Sequence, residues 1–178
     1  YHAGLPEAER RANQEDFQFD RKTVMVATNA FGMGIDKSNV SYVLHYNMPK
    51  SIEAYYQEAG RAGRDGEAAE CILLYSPGDA ATARILIEHS EGSRLSPEEQ
   101  DAVRAQDYAR LRTMEDYCRT GDCLRGKILD YFGQSHPAEC GNCGNCRSEF
   151  RVEDLTEAAQ MALSCAARIR TKLGYGVG

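Results

Sequence analysis

The sequence predicts an α/β lobe built on a parallel sheet, followed by a small helical domain stapled by a metal. Two observations carry that reading. Short apolar runs alternate with helix-like segments through the first half of the 178 residues, the pattern of a parallel sheet with crossover helices. Four of the seven cysteines then crowd between Cys123 and Cys146, and such clustering without a secretory leader favours a metal over a disulfide framework.

The elements follow in order. Residues 6–19, rich in Glu, Arg, Ala and Gln, read as a helix opened by Pro6. The β-branched run 23–28 reads as a buried strand, 42–46 as a second and 71–75 as a third. Residues 51–61 read as a helix, with Ile52, Tyr55, Tyr56 and Ala59 at spacings of three and four. A further helix is expected from about residue 79 to 89. Ser96, Pro97 and Glu99 then stand as N-cap, N1 and N3 of a long helix. Val103, Leu111, Met114 and Cys118 form its apolar stripe, which reads as core packing. Gly121 breaks it, residues 124–132 resume it, and 133–146 read as loop. Asp154 and Glu157 are the expected N-cap and N3 of a last helix, whose Leu155, Ala159, Ala162, Leu163 and Ala166 face a core.

Composition sets bounds on function. With 21 basic and 27 acidic residues the net charge is −6, which argues against a nonspecific polyanion binder but leaves room for a local basic groove. No apolar run approaches the ~20 residues of a membrane helix. No signal-peptide core is present either, so a soluble intracellular protein is expected, with no membrane partner. The chain opens on Tyr1 and is read as a piece of a longer protein. Shifts in composition near Ser90 and Phe150 divide it into 1–90, 91–150 and 151–178.

Cys140, Cys143 and Cys146 recur at a period of three, separated by Gly-Asn pairs that tolerate positive φ and let the backbone curl. Tetrahedral zinc needs a fourth ligand. Cys123, at the start of the 124–132 helix, is the choice, with Cys118 and His136 as competitors. Four thiolates leave no open position, so the zinc reads as structural. A ferredoxin-type run would continue with a fourth Cys and then Pro, where this chain has Arg147-Ser148-Glu149-Phe150. Cys71 and Cys165 read as ordinary buried thiols.

The sharpest motif is Gln57-Glu58-Ala59-Gly60-Arg61-Ala62-Gly63-Arg64-Asp65-Gly66. Two arginines three apart among small residues suit bidentate contact with phosphate at close approach. A second segment, Val26-Ala27-Thr28-Asn29-Ala30-Phe31-Gly32-Met33-Gly34-Ile35-Asp36, runs from a strand end into a glycine-rich loop and a carboxylate. Ligands of open α/β sheets bind beyond such strand ends.

These segments resemble the RecQ family of DNA helicases, in helicase superfamily 2. Residues 1–5 resemble the stretch ahead of motif V, 26–36 motif V and 55–66 motif VI. Cys123, Asp130-Tyr131-Phe132-Gly133 and the cysteine triplet resemble the family's zinc-binding subdomain, and 155–178 the opening helix of its winged-helix domain. The resemblance implies that 1–90 is the second RecA-like lobe, incomplete at its N-terminus, that 91–150 is the zinc subdomain, and that 151–178 begins a winged helix. It also implies ATP-dependent 3′→5′ DNA unwinding, with ATP and Mg²⁺ bound between this lobe and a first RecA-like lobe.

By position, Arg64 is the expected arginine finger and Arg61 the second arginine near the phosphates. Gln57, Asp36 and Gly34 are expected on the nucleotide side; Thr28 and Asn29 are expected on DNA. Arg119, Arg125 and Lys127 are either a duplex-DNA surface or a solvated face, and Arg168 and Lys172 read as solvated. The chain contains no G-x-x-x-x-G-K-[ST] and no Asp-Glu-x-His run, so the piece alone is expected neither to hydrolyse ATP nor to unwind DNA. The protein would act in the cytoplasm on the nucleoid if bacterial and in the nucleus if eukaryotic. One alternative is a zinc-stapled module that binds nucleic acid or protein without ATP coupling. Another is an iron–sulfur helicase of a different family, which would be coloured.

Overall fold

The structure, a computed structural model, describes residues 1–28, 31, 37–90, 96–148 and 153–173, with side chains through 168. Helix α1 (Glu7–Gln18) leads to an extended stretch, then strand β1 (Tyr42–His45), helix α2 (Ile52–Ala59), strand β2 (Glu70–Leu73) and helix α3 (Pro77–Glu88). Helix α4 (Pro97–Arg119), α5 (Leu124–Tyr131), α6 (Gly144–Arg147) and α7 (Thr156–Leu173) complete the described order. β1 and β2 pair in parallel with Leu44 opposite Ile72, and α2 makes the crossover between them. The expected α/β lobe with a helical domain behind it is what forms.

The sequence signals act where expected. Ser51 accepts the Ala54 N–H and caps α2. Ser76 and Asp79 form a reciprocal capping box at α3, and Ser96 and Glu99 do the same at α4. Asp79 also accepts the Asn47 side chain and the Met48 N–H, which ties the loop after β1 to the start of α3.

The core lies between α2 and α4. Ile52 and Tyr55 from α2 close on Met114 and Tyr117 from α4, with Met48, Leu73, Leu124 and Ile128 packed around them. The rings of Tyr55 and Tyr117 lie 5.4 Å apart at a tilt. Residues from both sides of position 90 thus share one interior. Glu115, 7% exposed, takes Arg84 of α3 and Arg119 of α4 as ion-pair partners, so its buried charge is compensated twice.

Six expectations are corrected. Residues 23–28 form no strand: among the described residues their extended backbone is met from outside the run by Tyr1, through Val26 O and Thr28 N–H, and by the turn bond from Phe31 N–H to Thr28 O, and Val24 and Val26 remain exposed. A partner of one residue cannot sustain a ladder. Val103 leaves the α4 stripe half-exposed, because only the C-terminal half of α4 faces α2. The loop 133–146 is interrupted by α6. Asp154 caps one residue early, accepting the Thr156 N–H just before α7. Along α7, Leu155 and Leu163 are exposed, so that stripe meets no core among the described residues. Cys71 and Cys165 are likewise exposed: Cys71 lies on β2 with its thiol toward the Ala59 carbonyl, and Cys165 lies on uncovered α7.

Met114, fully buried, should cost ~2–5 kcal/mol when cut to Ala, from lost transfer energy plus the cavity. Val103→Ala should stay within about 0.5 kcal/mol. Urea unfolding of the zinc-loaded protein measures both, and equal effects would refute this placement of the core.

Candidate functional site

The four cysteines converge although they come from separate elements. Cys123 is the N-cap of α5 and Cys143 the N-cap of α6. Cys140 lies in the preceding turn, where Gly141 at φ +64° bends the chain back, and Cys146 lies within α6. The Sγ atoms of Cys123, Cys140, Cys143 and Cys146 all lie within 4.8 Å of one another, with Cys143 and Cys123 4.0 Å apart. Tetrahedral zinc with Zn–S near 2.3 Å would set sulfurs about 3.8 Å apart. The donor set and its spacing therefore fit zinc, with all four positions filled by protein.

Backbone N–H groups prepare the sulfurs for negative charge. Gly126 N donates to Cys123 Sγ at 3.3 Å, Cys143 N to Cys140 Sγ at 3.2 Å, and Cys146 N to Cys143 Sγ at 3.4 Å. The Cys140 thiol is drawn below its usual value, first by the Asn142 N–H. Burial opposes ionisation of Cys143, yet donation from the Cys146 N–H and thiol and the Leu124 N–H outweighs it and brings that thiol down to about 6. Cys146, hydrogen-bonded to Cys143, is pushed up to about 11. Metal binding would take the sulfurs as thiolates and release their protons.

The competing ligands stand apart. Cys118 lies outside the cluster, packed beside the α2–α4 core, and burial pushes its thiol up to about 11. His136 has both nitrogens engaged, Nδ1 with Pro137 O at 2.7 Å and Nε2 with Asp130 Oδ1 at 2.9 Å. Both partners are acceptors, so the imidazolium form suits this seat. Its pKa is raised, first by the Pro137 carbonyl and then by Asp130. Its ring roofs Gly126, where an added Cβ would come within 2.6 Å of the imidazole.

One positioning residue carried no sequence signal beyond loop propensity. Asn145 donates from Nδ2 to Thr120 O at 2.8 Å and to Asp122 O at 2.7 Å. It thereby fastens the cysteine turn to the α4–α5 corner. Arg147 adds a bond to Asn142 Oδ1 at 2.6 Å.

The arginine motif sits on the turn after α2. Gly60 caps the helix, and Arg61 N and Ala62 N return to Glu58 O and Ala59 O. Gly63 N bonds Val40 O at 2.9 Å, which pins the turn just ahead of β1. Gly63 has φ +65°, and a Cβ there would sit 3.0 Å from Glu67 O, so glycine is required. Arg64 is exposed, with Nε donating to Gly60 O at 3.2 Å, and Arg61 is half-buried. Gln57 faces out from α2. Its neighbour Glu58 reaches buried His45 of β1, Oε2 to Nε2 at 2.9 Å, a contact the sequence did not signal.

Thr28 is exposed, and its described backbone bonds run to Tyr1 and Phe31. Asn29, Gly34 and Asp36 lie outside the described residues, as does the Lys172 side chain. Of the expected basic surface, Lys127 pairs with Asp122 at 2.7 Å and Arg119 bonds Glu115 and Tyr75, while Arg125 is exposed. No described helix is long and apolar enough to cross a membrane.

Comparison with known proteins gives two family matches: residues 1–66 to the helicase conserved C-terminal domain and 77–147 to the RecQ zinc-binding domain. The chain is 52% identical over 174 residues to the ATP-dependent DNA helicase RecQ of Bacillus subtilis (strain 168), covering 98% of this chain and 28% of that protein. It is 41% identical over 170 residues to the ATP-dependent DNA helicase RecQ of Haemophilus influenzae, covering 95% and 26%. It is 39% identical over 177 residues to the ATP-dependent DNA helicase hus2/rqh1 of Schizosaccharomyces pombe, covering 97% and 13%. The chain thus spans about a quarter of the length of its bacterial relatives. The zinc-binding match and the four-thiol cluster together assign a structural zinc.

Metal analysis should find one zinc per chain in wild type and in Cys118→Ser, and none retained in Cys143→Ser. Asn145→Asp keeps the shape but removes both donated bonds, and should weaken zinc ~10–100-fold in chelator competition. Zinc retention equal to wild type would remove Asn145 from the site.

The His136 seat predicts a pH effect. A raised folded pKa contributes stability fully present below the unfolded value of about 6.5, lost as pH rises through the folded value. Melting temperature should therefore decline across that window in wild type, and less so in His136→Gln.

Proposed function

We propose, from the premise that the chain belongs to the RecQ family of helicases, that it supplies the arginine half of an interlobe ATP site in a 3′→5′ DNA helicase. The observation that carries this is the turn after α2, where Gln57, Arg61 and Arg64 follow one another on a backbone locked by Gly63 to the segment before β1. A rigid turn suits guanidinium groups that must meet a developing charge without reorganising.

In this reading Arg64 stabilises charge on the transferred phosphoryl group, and Arg61 binds beside it. Gln57, on the last turn of α2, contacts the nucleotide side and reports its state. Gly34 and Asp36 contact the nucleotide, and Thr28 and Asn29 bind the DNA backbone. A loop that touches both ligands lets each bias the same movable element. ATP and Mg²⁺ supply the phosphoryl chemistry when held with a first RecA-like lobe. Residues 1–90 form the lobe, 91–150 the zinc subdomain and 151–178 the start of a winged helix. DNA is the partner, with Arg125 as the contact from the zinc subdomain. Alone, the chain neither hydrolyses ATP nor unwinds DNA.

The test is DNA-stimulated ATP hydrolysis by the full-length protein, wild type against Arg64→Ala, with ATP and DNA binding measured in parallel. The expected result is a loss of ~10³-fold or more in rate with both ligands still bound. Equal rates, or a wild type without ATPase, would overturn the motor reading in favour of a zinc-stapled binding module.

A further inference from the structure

We infer that Tyr131 and Glu53 form a strut through which the zinc centre positions the arginine turn, which makes both of them positioning residues. The inference rests on the proposed role of that turn only for its effect on ATP hydrolysis. Its structural content stands separately.

The path is continuous and short. Cys123 caps the start of α5, and eight residues later the helix ends at Tyr131, so the metal fixes one end of a rigid rod. At the other end Tyr131 Oη donates to Glu53 Oε1 at 2.5 Å, across a sequence separation of 78. Glu53 lies in the first turn of α2, the helix that runs directly into Gln57 and the arginine turn. A second contact runs parallel: Phe132, just past α5, packs at a tilt against Tyr56 of α2 with centroids 5.2 Å apart, and Tyr131 packs edge-on against Phe132.

The chemistry favours a firm contact. A phenol donating to a carboxylate is charge-assisted and shorter than a neutral pair. Tyr131 draws the Glu53 carboxyl below its ordinary range, and Arg110 of α4 stands 3.9 Å from the same Oε1. Glu53 therefore receives one partner from the zinc-capped helix and one from the long helix. The apolar core holds the inner face of α2 through Ile52 and Tyr55, and the strut holds its outer face through Glu53 and Tyr56. Two faces held at once leave the helix little freedom to roll. Roll is the motion that would swing the turn at its end.

The test is hydrogen exchange of residues 52–66 in the zinc-loaded full-length protein, for wild type, Tyr131→Phe, Glu53→Ala and the double variant. Each single change should speed exchange there about tenfold, the range of one charge-assisted bond. The double variant should exceed the larger single by little, because both remove the same contact. Zinc removal from wild type should raise exchange over the same residues, and should add little in Tyr131→Phe.

ATP hydrolysis supplies the second readout. In Tyr131→Phe, kcat should fall about tenfold with KM for ATP within about twofold, since the change displaces a group rather than a binding contact. Zinc content should match wild type. Unchanged exchange in either single variant, multiplying effects in the double, or zinc removal that leaves 52–66 untouched would each overturn the strut. A wild type without ATPase would sink the proposed function, and exchange would still decide the strut.

Discussion

Four sulfurs drawn to one point hold the C-terminal half of this structure in shape. Helix α5 has eight residues and α6 has four, lengths at which a helix has almost no intrinsic stability in water. Between them runs a loop of Gly, Asn, Pro and Ser with little to bury. From α5, Leu124 and Ile128 lean on a core that belongs to α2 and α4. Metal ligation replaces the missing core: it fixes the N-cap of each short helix and lets backbone N–H groups that would otherwise point at nothing serve the thiolates. Asn145 then anchors the cluster to the carbonyls left over where α4 ends.

Helix α2 is the element on which the rest converges. Its first turn carries Ser51 as cap and Glu53 as acceptor, its inner face carries Ile52 and Tyr55, and its last turn carries Glu58 toward His45. The helix is only eight residues long, so every turn is committed to a contact. This explains how an exposed turn of small residues can hold a defined position. Glycines at 60, 63 and 66 would leave the segment loose by themselves; the fixed helix before it and the Gly63–Val40 bond after it supply the order.

Much of this was legible in the sequence, and the failures have physical causes. The cysteine period and the capping signals act locally, so reading them needs no knowledge of distant partners. The sequence reading chose Cys123 over Cys118 and His136, and the cluster contains it, but spacing alone separates these candidates weakly. Cys118 and Cys123 differ by about one helical turn, and the outcome turns on where α4 stops, at Thr120, one residue before the expected break at Gly121. The run 23–28 has strand propensity, but propensity describes fit to a pleated surface, and its described ladder partner is a single residue. Val103 failed because periodicity reports which face of a helix is apolar and not how much of its length is covered. The contacts His45–Glu58 and Tyr131–Glu53 join residues far apart in the chain, and no spacing rule reaches them. Residues 29, 34 and 36 lie outside the described part, so the loop reading stands on sequence alone.

The charge distribution bears on what kind of surface this half presents. From the sequence, Arg119, Arg125 and Lys127 could pass for a patch aimed at DNA. In the structure most cations of α3 to α5 are engaged within the fold: Arg84 and Arg119 on Glu115, Arg110 on Asp107 and Glu53, Lys127 on Asp122. Only Glu115 is buried, and only there does pairing relieve a large desolvation cost; the exposed pairs are worth little each. Their effect is on the field more than on stability, because a cation beside a carboxylate projects little charge beyond the Debye length. Among the described residues of α3 to α5, local compensation of this kind leaves no broad basic face. In the reading proposed above, DNA contact from this half falls to exposed Arg125 and not to a broad field. The arginines proposed to face phosphate lie elsewhere, on the glycine-locked turn after α2, and in that reading their placement depends on how firmly α2 is held more than on the number of positive charges.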